Sequence, residues 1–241
     1  GPVVKNETKT VTSADGWQWS WKDLPEYEGG KKITYSITED AVAEYTTKVD
    51  GYNVTNSYTP GKTSVTVTKS WDDSNNQDGK RPDTIKVQLY GDNEKVGGEV
   101  ELKKATGWTH TWNDLPEKKA GKTIKYTVKE VGTLNGYETS YNDANHGNII
   151  ICNKHVPEKT KVEGKKTWDD ADDQDGKRPE EITVNLLKNG AKFKSVTVKP
   201  DADGNWKYEF TNLDKYENGK EIKYTVTEDT VKDYNFSSEG Y

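Results

Sequence analysis

Three residues of types that rarely share an interior stand on three alternating segments of this chain. Lys69 lies on the first strand of its repeat, in SVTVTKSW (64–71). Glu130 ends a middle strand, TIKYTVKE (123–130). Asn153 lies on the last, NIIICNK (148–154). Lys69 precedes Trp71 by two, so on a strand it shares the inward phase of that aromatic. Burying a lone Lys or a lone Glu is expensive. Burial favours the neutral form of each, and a neutral amine is a competent nucleophile beside an acid that can hold or pass a proton. The types recur. Lys166 precedes Trp168 and is followed by Glu228; Glu39 is followed by Asn56. The bland alternative is a surface Lys–Glu pair with Asn in a strand-end turn. Three matching positions weigh against it for Lys69, Glu130 and Asn153. It is the better reading of the incomplete sets, because no Lys aligns with Lys69 before Glu39 and no Asn aligns with Asn153 after Glu228.

The elements that must position these groups are repeated. GWQWSWKDLPEYEGGKKITYSITED (16–40) returns at 107–131 and again at 205–229, and TKSWDDSNNQDGKRP (68–82) returns at 165–179. A recurring block of this kind marks a tandem array. Trp17 to Trp206 and Glu39 to Glu228 share one offset, so the unit of repetition is a pair of domains. The divisions read as 1–60, a domain lacking its first strands; 61–156, a complete domain; and 157–241, a domain lacking its last strand. Strands read by alternation at 64–71, 84–90, 107–112, 123–130 and 148–154, with turn signals at Asp78-Gly79, Gly97-Gly98, Asn135-Gly136 and Pro82. No long helical stripe is present, so the chain reads as all-β sandwiches. Short Pro-containing joints at 58–64 and 155–161 predict an extended, semi-rigid rod.

These segments resemble the Cna B-type repeats of Gram-positive surface proteins, and most closely the paired B repeats of the collagen-adhesin type. The likeness rests on VTVTKSW…YTVKE…IICNK and WDDxxxQDGKRP…NW…YTVTED and covers essentially the whole chain. It implies tandem inverse-immunoglobulin, transthyretin-like sandwiches. It further implies a spontaneous Lys69–Asn153 isopeptide bond, with Glu130 relaying protons and Glu39 and Glu228 as its equivalents. Lys166 and Asn56 are then unpaired equivalents that strand exchange between chains could bring together. The implied role is a non-catalytic stalk segment of an adhesin on a Gram-positive cell wall, outside the cell, contributing to virulence. Its expected partners are neighbouring domains of the same adhesin, with host matrix met through a separate region. A matrix-binding module is the rival reading.

Composition narrows the field. The hydrophobic fraction is 30%, but eight Trp and fourteen Tyr can fill small cores. The net charge of −6, with acids and bases interspersed, offers no basic stripe for nucleic acid. No apolar run approaches the roughly 20 residues a membrane helix needs. One cysteine, Cys152, excludes an intrachain disulfide framework, so a covalent staple must be of another kind. Without an initiator Met or signal peptide, a fragment or mature segment is expected. No cofactor and no metal are expected. The DDSNNQDG and DDADDQDG loops place Ser74 and Ala171 where a calcium loop needs an acid, and a polar turn is the better reading. His110, His146 and His155 lack ligand spacing. The aromatics at 17–27 read as core residues rather than a sugar-stacking platform.

Overall fold

A computed structural model describes residues 7–240. The chain divides into two compact units, Gly1–Thr59 and Pro60–Tyr241. In the first, β1 (Thr46–Asp50) and β2 (Asn53–Ser57) form an antiparallel hairpin around Gly51, which holds φ at +60°. A minimal ladder joins Tyr27–Glu28 to Lys31–Lys32.

The second unit holds two apolar cores. Around the first lie β3 (Lys62–Asp72), β4 (Thr84–Gly91), β5 (Glu94–Lys103), β6 (Thr109–Pro116), β7 (Tyr126–Glu130), β8 (Glu138–Asn142) and β9 (Asn148–Lys154). They make two sheets, β7-β4-β5 and β8-β9-β3-β6. β3 and β9, first and last in this domain, lie side by side and parallel. Alternation drives the sandwich: Val65 and Val67 on β3, Ile149 and Ile151 on β9, and Tyr126 and Val128 on β7 are all buried.

The second core is enclosed by β10 (Lys159–Lys166), β11 (Ile182–Lys188), β12 (Ala191–Val198), β13 (Trp206–Asp214) and β14 (Tyr224–Glu228). Its sheets are β10-β13 and β12-β11-β14. A tyrosine hydroxyl recurs as a tie in every repeat: Tyr35 donates to Pro25 O (2.6 Å), Tyr126 to Pro116 O (2.7 Å) and Tyr224 to Asp214 O (2.7 Å). The ties of Tyr126 and Tyr224 are partly buried and supply a donor to a carbonyl at a strand end, whereas the tie of Tyr35 is exposed.

The chain is all-β, but two local expectations are corrected. Gly97-Gly98 is not a turn between strands. It lies within β5, where the register against β4 slips between Val87 and Leu89 and Gly97 takes φ of +66°. This is a bulge, for which a residue free to adopt positive φ is suited. The turn falls instead at Asp92-Asn93. The aromatics at 17–27 are also not uniformly core: Trp17 is 67% and Tyr27 58% exposed. The counterparts of Trp17 have a ring to pack on. Trp108 meets Trp71 edge-on at 5.2 Å and Trp206 meets Trp168 at 5.3 Å. No residue of the first unit aligns with Trp71 or Trp168.

Candidate functional site

Lys69, Glu130 and Asn153 each continue a buried alternation by one more step. Lys69 follows Val65 and Val67, Asn153 follows Ile149 and Ile151, and Glu130 follows Tyr126 and Val128. The pleat therefore directs all three toward the interior. Register completes the grouping. On parallel neighbours β3 and β9, Lys69 is level with Ile151, which places Asn153 one inward step along. Glu130 enters from the facing sheet, and its Oε1 accepts the Asn153 amide N–H at 3.0 Å. Lys69 is 4% and Asn153 0% exposed.

Polar satisfaction at this site is incomplete. Glu130 Oε2 and Asn153 Oδ1 are buried acceptors without a donor. Each such atom costs about 1–3 kcal/mol. Lys69 Nζ donates to Ser70 O at 2.7 Å and stands 3.8 Å from the Trp71 ring centre. Burial pushes the Lys69 ammonium down to about 8. The nearby Glu130 charge pulls the other way without offsetting it. An amine with that value becomes increasingly neutral, and so increasingly nucleophilic, as pH rises through 8.

A set of residues that sequence reasoning missed holds Trp71 in place. The buried Asp73 carboxylate accepts from Arg81 Nη2 (2.5 Å) and Nε (3.0 Å), from Tyr137 Oη (2.9 Å) and from the Asn76 N–H (2.9 Å). Burial alone would raise its pKa. The guanidinium and the other donors outweigh that and leave it lowered. Tyr137 packs edge-on against Trp71 at 5.4 Å. The loop that resembles a calcium site thus spends its first buried acid on an internal arginine. Among the described residues, no group of three or more His, Cys, Asp or Glu could hold a metal ion.

A family profile for the Cna protein B-type domain matches residues 2–57, 65–154 and 162–241. The chain belongs to the Cna B-type domain family. It is 54% identical over 230 residues to a collagen adhesin of Staphylococcus aureus, a match covering 95% of this chain and 19% of that protein. A crystal structure of two B repeat units (B1B2) of the collagen binding protein of S. aureus aligns with a TM-score of 0.68 at 53% identity. That alignment covers 95% of this chain and 61% of the other. The chain thus spans about a fifth of the adhesin it matches.

The other two Cna B-type domains carry parts of the site. In the last, Lys166 pairs directly with Glu228 at 3.0 Å and stands 4.5 Å from the Trp168 ring centre. Asp170, Arg178 and Tyr234 repeat the clamp. In the first, Asn56 Nδ2 donates to Glu39 Oε1 at 3.0 Å, as Asn153 does to Glu130, but both residues are exposed. Thr47 Oγ1 lies within hydrogen-bond distance of both Glu39 Oε2 (2.9 Å) and Asn56 Oδ1 (2.8 Å). Glu therefore meets Asn in two domains and Lys in the third. Among the described residues, the middle Cna B-type domain carries Lys, Glu and Asn together at the matching strand positions.

Proposed function

We propose that this chain is a stalk segment of a cell-wall-anchored bacterial adhesin. Its middle domain locks itself with an isopeptide bond between Lys69 and Asn153. The observation that carries this reading is the partly buried Glu130–Asn153 contact beside a dehydrated lysine, with Glu130 Oε2 and Asn153 Oδ1 both lacking donors. A proton on Oε2 would make it a donor and polarise the carboxamide. The Lys69 Nζ lone pair attacks Asn153 Cγ. Glu130 transfers a proton from Nζ to the departing Nδ2. The Cγ–Nδ2 bond breaks, the Nζ–Cγ amide remains and ammonia leaves. Amide exchange is slow in water, but well-oriented intramolecular partners reach effective molarities of about 10⁵ M or more. The reaction occurs once per domain, so it is self-modification without turnover.

The bond supplies the staple that one cysteine cannot, and no reductant opens it. The stalk role draws on the family and on the S. aureus adhesin, whose name refers to collagen. Such a protein is displayed outside the cell. In this reading collagen is contacted elsewhere in the longer protein, and the strands of this segment supply length. The first test separates stalk from matrix-binding module. The chain passed over immobilised collagen is expected to give no saturable signal. Saturable binding, lost when the chain is unfolded, would assign it the module's role.

A further inference from the structure

The loop Asp73–Arg81 does more than carry the clamp: it docks the next domain. Gly219 N donates to Gln77 O at 2.9 Å, and a Cβ on Gly79 would lie 2.7 Å from Gly219 Cα. Asp78 Oδ2 accepts from the Glu158 N–H (2.8 Å) and meets His155 Nε2 (2.8 Å). Glu158 lies between two lysines, Lys80 of the loop (2.5 Å) and Lys215 beside the docked turn (3.1 Å).

The last domain carries the same loop at 170–178, built the same way. Ala171, Asp172, Asp173 and Gly176 repeat the positive φ of Ser74, Asn75, Asn76 and Gly79. Arg178 repeats Arg81 on the first acid. Yet Gln174 and Asp175 are exposed where Gln77 is half-buried and Asp78 buried, and a Cβ on Gly176 would meet nothing within 4 Å. One undocked turn in the second unit matches the docked one. Ala120 (+50°) and Gly121 (+78°) repeat the φ of Asn218 (+51°) and Gly219 (+75°), and Gly121 also faces open space. The charges are rearranged to suit. The position of Glu158 is Gly61 ahead of this turn, with no side chain, and the position of Lys215 is Glu117, whose carboxylate lies against Gly61.

We infer that loop 170–178 is a docking surface for the Glu117–Gly121 turn of a second copy of the middle domain. Gly176 meets Gly121, Gln174 O accepts from Gly121 N, and Lys177 pairs with Glu117. The acid that bridges the joint moves from linker to turn. The pair that Lys177 makes with Asp233 at 3.6 Å is an exposed one, worth little, and yields.

Disulfide trapping between two full-length chains tests this, with Cys152→Ser in every partner. A Lys177→Cys chain is mixed under mild oxidation with a Glu117→Cys chain or with a Glu138→Cys chain. Glu138 is exposed and begins β8, away from the turn. The Lys177/Glu117 pair is expected to cross-link about tenfold faster than the Lys177/Glu138 pair, because docking raises the local thiol concentration. Equal rates, or no cross-link in either mixture, would overturn the assignment.

Discussion

Pulled by its two ends, the chain is expected to release no extension from between Lys69 and Asn153, whereas a Lys69→Met variant yields that whole segment. β3 and β9 are adjacent and parallel, so tension enters the middle domain at one end of the pair and leaves at the other. Without a covalent tie, that load shears the hydrogen bonds between the strands, and the sandwich opens once they part. With the tie, force passes from β3 through the side-chain amide into β9. At about 3.4 Å per residue, the shielded segment is worth roughly 280 Å of contour length. Closing a loop of this size also removes denatured-state entropy, by analogy with a long disulfide loop. The variant should therefore lose on the order of 4 kcal/mol in chemical denaturation. Lys69→Met retains an unbranched, largely apolar stem in the pocket, so a cavity is not the main cost. Single-molecule traces in which parent and variant extend equally would remove the mechanical basis of the stalk.

The second large effect is expected at Asp73. Asp73→Ala leaves Arg81 beside Trp71 without its carboxylate and Tyr137 Oη without an acceptor. Removing one partner of a buried ion pair costs about 3–5 kcal/mol, and Arg81, whose side chain is 23% exposed, places this loss at the low end of that range. The middle domain should unfold at clearly lower urea, followed by tryptophan fluorescence, since Trp71 lies in the clamp. Asp73→Asn, which retains an acceptor, should lose less. A midpoint unchanged in Asp73→Ala would mean that the pair contributes nothing net. The contrast is Lys86–Glu99, exposed on both sides at 3.6 Å, where either deletion should be close to neutral.

Much of this was legible in the residues. Lys69 at the phase of Trp71 identified an inward lysine, and the repeats placed a Glu and an Asn at corresponding points. Alternation located β3, β4 and β9 to within about two residues. What escaped had physical causes. β5 was hidden because Gly97-Gly98 reads as a turn, and a bulge uses the same residue for the same backbone freedom. The clamp was hidden because Tyr137 is 64 positions from Asp73, and because an acid in an Asp-rich loop suggests solvent or a cation before it suggests arginine. Asp78 and His155, 77 positions apart, were invisible for the same reason. The exposure of Trp17 followed from a missing partner ring, which no local pattern reports.

The central claim is a covalent bond, and mass tests it most directly. The intact mass of the fully denatured chain should fall short of its sequence mass by one ammonia, and a Glu130→Ala chain measured beside it should show the full sequence mass. A parent chain at full mass would contradict the account, because Lys69 and Asn153 would then be only neighbours. A deficit that persists in Glu130→Ala would leave the bond in place and remove Glu130 from its making.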